Sequence, residues 1–584
     1  MPNSNVFIAL TSNEVLWDKS KEIVLLGDWC IANLEQKNEY KILPYPIKFK
    51  DTNYQDFDQL NRKLYSKYLT LATNILNKEH NTNYSERYWD IVAGSFLFRY
   101  IGVMYEKYLT IKNLLEHYEE FDCLTVDTKK HKTIIVDELD FMKLIQDDNY
   151  NLELYSKVLS FLNVKSKKIK IKKHLKNTKS YKLNNYIKSF YELVFNSFGY
   201  FKTNKKIIFI KSSYLDKKSL LKLAFFSKYN IQVKFQEGYS DQIKNNYSEK
   251  KRKNLQEQFP ETDEFELFLK TVLPFDFPKS LLENYKYLNT LAKKNYLKIS
   301  PDIIFSANSW FRDELFKMWA ASSIEKSKYL GIQHGGNYGA SRYMMDETYE
   351  RKITNYYLTW GWVIPGENNL IPFGSTKMIR YKESKLSSDD ILFVMTTKPK
   401  YFCDLRFMPH EIISYYEDQE DFLRNISKSL LNNFRIRPYP SIDQIRYINL
   451  WKKYNENIRI DHQSEKFIHS LVNCKLYVTD HLMTTYLESL KMNIPTIIFL
   501  NKKYPNGLLS KGSLDEFQKL EDVGILFYSA KSAALAINKM DGDIDSWWLT
   551  SEVQQVRENF CEKFAKTPNN FITDFDVLFD NVLS

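Results

Sequence analysis

RIDHQSEKFIHSLVNCKLYVTDHLMTTYLESLKMNIPTIIFL, Arg459–Leu500, reads as helix, strand, polar loop, helix, strand. Ser464–Leu471 carries apolar residues at helical spacing, and Lys475–Thr479 is an apolar run of strand length. Asp480–Thr484 is a polar turn, Tyr486–Leu490 opens a second helix, and Pro495–Leu500 has the continuous apolar character of a buried strand. Apolar strands joined through helices form right-handed parallel α/β units. In such sheets ligands sit beyond the C-terminal strand ends, at helix N-termini. That position holds Thr479, Asp480, His481, Thr484 and Thr485, with Glu488 one turn into the helix. These are hydrogen-bonding groups placed where a nucleotide would lie.

Outward from this stretch the chain repeats the pattern. Strands are expected at Asn5–Leu10, Lys206–Ile210, Ile231–Phe235, Asp302–Ser306, Tyr329–Gln333, Ile391–Met395 and Phe434–Ile436. Residues 54–200 read mostly helical, most clearly over Leu60–Leu76 and Tyr88–Leu115. Helices are expected over Asp418–Leu431, Ala530–Met540 and Glu552–Lys566. Leu358–Ser375, rich in Gly and Pro, reads as a crossover between lobes. The expected architecture is α/β with two Rossmann-like lobes. Residues 1–375 form the first lobe, with a helical insertion over about 54–200, and 386–566 the second; 567–584 form a C-terminal helix.

The 584-residue chain is too long for a single core. Its net charge of +11 suits an anionic substrate, an anionic membrane surface or nucleic acid without choosing among them. Much of the excess lies in Lys165–Lys182, a basic linker or insertion face with lipid headgroups as an alternative partner. Five scattered cysteines with no CxxC pair argue against a disulfide framework or zinc site and favour the cytoplasm. The start of the chain shows no signal-peptide pattern, and Ile91–Tyr105 is too short to span a bilayer. Peripheral contact with the inner membrane stays open.

Several polar constellations fall at expected strand ends. GIQHGGNYG, Gly331–Gly339, follows a strand. Its glycines, Gly335 and Gly336 among them, permit close backbone approach to a ligand. His334 is the candidate acid/base, and Gln333 would line the cleft. In RIRPYP, Arg435–Pro440, alternation puts Arg435 and Arg437 on one face, suited to phosphate, with Arg437 nearer the C-terminal end. Thr397 and Lys398 follow another strand, and Asn308 and Ser309 another. Asp302 falls at the opposite end of its strand and is a poor nucleophile candidate. His462 lies in DHQSEK, where Asp461 or Ser464 is a candidate helix cap. Asp480, Thr484 and Thr485 have capping roles as their plainer reading, while Glu488 has the position of a ribose-binding acid. The loops Thr11–Trp17 and Gly27–Trp29 offer aromatic platforms for an acceptor sugar. DGDID, Asp541–Asp545, resembles a metal-binding motif but reads as a turn.

The order GIQHGG, WGW, RIRPYP, DHQSEKF, then TDHLMTTYLESL and NIPTIIF resembles a family of transferases from bacterial surface-polysaccharide (lipopolysaccharide and O-antigen) gene clusters. It is more distantly similar to Kdo transferases and polyol-phosphate transferases of GT-B glycosyltransferase architecture. The resemblance implies a nucleotide donor in the C-terminal lobe and an acceptor on the N-terminal side. Arg437, Thr484, Thr485 and Glu488, with Arg435, His462 and Asp480, would hold the donor; His334 would face it from the other lobe. It implies a nucleotide-sugar co-substrate, a glycan or lipid-linked acceptor, no catalytic metal and no other cofactor. A CMP-linked ulosonic acid is one candidate donor. The alternatives are a polyol-phosphate transferase using a CDP-alcohol, and a non-catalytic protein binding an anionic polymer or membrane surface. No nucleic-acid-binding motif is present.

Overall fold

The computed structural model describes the chain apart from residues 1–4, 32–39, 48–50, 131, 172–181, 236–242, 245, 261, 298, 383–387, 441–443, 462–465, 502–508 and 541. The stretch that opened the sequence reading forms the heart of a six-stranded sheet. Its order is Arg459–Ile460, Phe434–Arg437, Ile391–Val394, Leu476–Thr479, Thr496–Phe499 and Leu526–Phe527. Every pairing is parallel. The three central strands, ILFV, LYVT and TIIF, are buried throughout. Such continuous apolar runs mark strands covered by helices on both faces.

A second six-stranded parallel sheet builds the first lobe. Its order is Leu370–Ile371, Tyr356–Leu358, Lys328–Ile332, Ile303–Ser306, Ile207–Ser212 and Asn230–Val233. The two-lobed Rossmann-like architecture expected from sequence is therefore what the chain adopts. The first expected strand takes a different place. Val6–Ala9 pairs with Glu22–Leu25, which pairs with Lys41–Ile42, in a separate small parallel sheet. Ile8 N–H also donates to the Asp122 carbonyl at 2.8 Å. The helices Asp51–His80, Ser95–His117 and Asp148–Phe161 pack around this small sheet, in one core that reaches helix Glu314–Ala321 of the first lobe. Strand propensity marks a strand without naming its partner, so Val6–Ala9 belongs to this small sheet and not, as expected, to the first lobe's sheet. Trp17 and Trp29 belong to that core. Their indole N–H groups donate to the carbonyls of Thr11 and Leu10, so neither is a platform for a sugar.

The crossover is made twice, side by side. The first passage leaves the first lobe through Trp360–Ser375, and the second returns through Lys566. Lys566 N–H donates to Trp360 O at 2.9 Å, and Ser375 N–H to Lys566 O at 2.7 Å. Gly361, at φ +124°, has the Glu562 carbonyl where a Cβ would stand, so only glycine fits. The returning chain ends in helix Phe571–Leu583, seated on the first lobe's sheet rather than on the second lobe. Phe575, Leu578, Phe579 and Val582, at helical spacing, pack into one cluster with Ile208, Ile210 and Phe305.

Phe579 is fully buried in that cluster, beside Tyr229. Phe579→Ala is expected to destabilise the protein by about 3–5 kcal/mol, seen as a lowered urea midpoint. An unchanged midpoint would show that the helix does not close the first lobe.

Candidate functional site

The two lobes meet through two motifs whose contacting residues lie 148 positions apart in sequence. Gly336 N–H donates to Thr484 Oγ1 at 3.2 Å, joining the glycine-rich turn after Lys328–Ile332 to the first residue of helix Thr484–Lys491. A Cβ on Gly336 would stand 2.9 Å from the Met483 carbonyl and from Thr484 Cα. The glycine is required because backbone passes backbone there.

Beside this junction lies a cleft of about 820 Å³, open to solvent. Asn337 and Ser341 line it from the first lobe; Thr396, Lys398, Arg406, Glu411, Tyr415, Asp480 and His481 line it from the second. It sits beyond the C-terminal ends of Ile391–Val394 and Leu476–Thr479, where parallel sheets bind ligands. Asp480 accepts from Tyr415 Oη at 2.8 Å and from Gln419 Nε2 at 2.7 Å. Burial pushes its carboxyl up to about 7 despite both bonds. Lys398 Nζ lies 2.7 Å from Glu411 Oε2.

His481 has the most informative geometry. Its Nδ1 accepts from Met483 N–H at 3.1 Å, and burial lowers its pKa to about 3. A neutral imidazole accepting at Nδ1 carries its proton on Nε2. That Nε2 is buried with no hydrogen bond of good geometry, although the Met395 backbone lies near enough to act on the ring; Glu411 Oε1 and Asn337 Oδ1 on the same cleft are likewise unbonded. Buried polar atoms are almost always paired in a folded chain. A ligand with both donors and acceptors would satisfy all three.

His334, on the first lobe, is not among the residues that line this cleft. Tyr338 Oη lies 3.2 Å from its Nε2, the Tyr214 ring stacks on it at 5.8 Å, and Glu350 Oε1 is 3.4 Å from its Nδ1. Burial, opposed by the Asp346 charge, lowers its pKa to about 4. Burial likewise raises Glu350 well above the usual carboxyl range. With its pKa near 4, His334 is uncharged at neutral pH. Tyr214, at φ +57°, is held in the left-handed region that a tyrosine rarely adopts. With Asn308, Ser309 and Arg312 it lines an adjoining hollow of about 600 Å³. Asn308 donates to Tyr214 Oη at 3.0 Å and accepts from Ser212 Oγ at 3.1 Å.

Other sequence candidates stand elsewhere. Arg435 and Arg437 do share a face, but both turn toward helix Phe467–Val472 and neither lines the cleft. Arg435 donates to the Ser470 and Asn473 carbonyls, at the helix's C-terminal end where cations are favoured. Arg437 Nη1 donates to Asp461 Oδ2 at 2.9 Å and Ser470 Oγ at 3.0 Å. Glu488 is buried against Lys377 Nζ at 2.6 Å and Tyr381 Oη at 3.2 Å, so it anchors the interlobe crossing. Gln333 is buried too. Its Oε1 accepts from Trp360 N–H at 2.9 Å and Trp362 Nε1–H at 2.7 Å, and its Nε2 donates to Gly335 O. It holds the WGW segment and does not face the cleft. Thr485 accepts from Tyr477 Oη at 2.8 Å. Thr397, next to cleft-lining Thr396 and Lys398, is half-buried. Asp302 accepts from Ile207 N–H and pairs with Lys206 at the N-terminal strand end. His462 and Ser464 lie outside the described residues, as does Asp541. Arg406, Tyr214 and Tyr415 carried no sequence signal, because each reaches the site through tertiary packing alone; Asn337 lies within GIQHGGNYG but is not singled out there.

The model of the LIC12162 family transferase matches residues 6–578. No curated protein matches the chain by sequence. Among solved structures, the wall teichoic acid polymerase TagF is 9% identical at a TM-score of 0.30, covering 69% of this chain and 98% of its own. MurG of Acinetobacter baumannii is 10% identical at 0.34, covering 64% and 99%. Anabaena HepE in complex with UDP is 9% identical at 0.32, covering 65% and 99%.

The state of His334 is testable through stability. Its folded pKa of about 4 lies below the ordinary value near 6.5. Between these values the unfolded chain binds a proton that the folded chain refuses, so stability falls as pH drops from 6.5 toward 4. His334→Gln is expected to make the loss of stability between pH 7 and 5 smaller than in the parent, on the order of 1 kcal/mol. Equal losses in chemical denaturation would show that His334 titrates normally.

Proposed function

The chain belongs to the LIC12162 family of transferases, and from that premise we propose that it is a glycosyltransferase of bacterial surface-polysaccharide assembly. It takes a sugar from a nucleotide-activated donor and passes it to a glycan or lipid-linked acceptor, at the cytoplasmic side of the membrane. The observation that carries this reading is the cleft at the lobe junction, with the unpartnered Nε2–H of His481 on its wall. A donor phosphate supplies the acceptor oxygen that this N–H lacks, next to the Lys398 ammonium that Glu411 holds on the same wall.

In the proposed reaction the bond between the sugar's anomeric carbon and the phosphate oxygen breaks, and the acceptor hydroxyl oxygen bonds to that carbon. The hydroxyl proton passes to His334, which is neutral and able to receive it. The departing nucleotide keeps the electron pair. Its growing charge is met by His481 Nε2–H and Lys398, donors fixed in place before the reaction. The ribose-binding role expected of Glu488 passes to other groups, since Lys377 and Tyr381 already hold that carboxylate.

A thermal-shift panel of CMP-, CDP-, UDP- and GDP-linked donors tests the reading, because a ligand specific to the folded state raises its melting temperature. One donor class is expected to raise it, and His481→Ala to weaken that donor by about tenfold, as for loss of one hydrogen bond to a charged group. No response to any donor, or undiminished binding by His481→Ala, would overturn it. A phosphodiester in the product would reassign the enzyme as a polyol-phosphate transferase.

A further inference from the structure

The outer face of the first lobe carries an apolar surface set among lysines that have no acidic partner among the described residues. Helix Lys217–Phe226 buries Ser219, Leu220, Leu223 and Ala224 against the sheet. Its opposite face keeps Leu221, Phe225 and Phe226 in solvent, the two phenylalanines 55% and 62% exposed. The turn Phe198–Phe201 adds Phe201, 85% exposed. Phe198, Phe225 and Phe226 form one run of touching rings. Phe198 packs edge-on against Phe225 at 5.4 Å, and Phe225 against Phe226 at 4.9 Å. Lys202 Nζ donates to the Phe225 and Ser227 carbonyls, fastening the turn to the helix end. The patch is therefore a built surface. Exposing large aromatic rings together costs solubility unless something covers them.

The charges around the patch indicate what covers it. Lys217, Lys218 and Lys222 rise from the same outward helix face, at positions alternating with Leu221 and Phe225. Lys205 stands beside the turn. None of these four has an acidic partner among the described residues. The nearby carboxylates are occupied: Asp216 caps the helix and pairs with Arg380, Asp576 accepts from Ser227, and Asp580 pairs with Lys228. Aromatic rings flanked by long cationic side chains match a bilayer boundary, where rings sit among acyl carbons and lysines reach the headgroups. Among the described residues no helix is long and apolar enough to cross a membrane.

We propose that helix Lys217–Phe226 and the turn Phe198–Phe201 form a membrane-docking surface that seats on anionic lipid headgroups, with Phe201, Phe225 and Phe226 entering the interface. It rests on the proposed function for its purpose, as the lipid surface where a lipid-linked acceptor would stand, though its physical basis is separate.

The test is co-sedimentation of the full chain with phosphatidylcholine vesicles, with and without phosphatidylglycerol. Binding is expected to need the anionic lipid and to weaken with salt. Phe225→Ser/Phe226→Ser is expected to lower partitioning by about tenfold or more. Lys217→Glu/Lys218→Glu/Lys222→Glu is expected to remove the preference for anionic lipid. Both variants alter exposed positions and should keep the parent's melting temperature and donor binding, so failure here is distinguishable from failure of the donor assignment. Parent protein that ignores both vesicles, or a Phe225→Ser/Phe226→Ser variant that binds like the parent, overturns the proposal. So does a self-associated parent, by light scattering, that the same variant makes monomeric, since the face would then join two copies of the chain.

Discussion

Gly336 has no side chain because the backbone of Met483 and Thr484 occupies the place where one would stand. The site depends on that close passage. It brings the glycine-rich turn of one sheet to the helix N-terminus of another, and it sets the cleft between Asn337 on one side and Asp480 and His481 on the other. The paired crossings at Ser375 and Lys566 fix the same relation from behind. Glu488 extends the constraint, since its bonds to Lys377 and Tyr381 tie the interlobe crossing to the helix that Gly336 touches.

A buried ionic junction joins the third unit to this frame. Arg99, from the helices around the small N-terminal sheet, pairs with Asp346 of the first lobe at 2.8 Å. Arg406, from the second lobe's cleft wall, pairs with Asp404 at 2.9 Å and with the same Asp346 at 3.3 Å. Desolvating such charges makes their net contribution to stability small, but removing one leaves its partners buried and unpaired. The junction thus restricts how the three units can be arranged. It also sets the electrostatics near His334, which Asp346 and Arg406 push in opposite directions.

The fold was legible because parallel strands buried on both faces announce themselves as apolar runs. ILFV, LYVT and TIIF each fell within a residue or so of its expected limits. Strands of two residues, such as Leu370–Ile371 and Leu526–Phe527, were missed, being too short to show a pattern. The site was legible only in part. The polar strand ends and the glycine-rich turn were placed, since both are local in sequence. The roles of the charged residues were not, because burial decides whether an arginine binds a ligand or a carboxylate. Arg437 next to a strand end looks the same in sequence whether it faces phosphate or Asp461. His481 stood in the opening stretch without a role, since its value lies in a proton that only the Met483 contact assigns to Nε2.

Hydrogen–deuterium exchange with the activating donor, once identified, tests the central claim that one ligand bridges both lobes at this junction. Donor is expected to slow exchange in peptides covering both 334–341 and 480–485, while leaving the small N-terminal sheet unchanged. Protection confined to one lobe, or absent from both segments, would contradict the account.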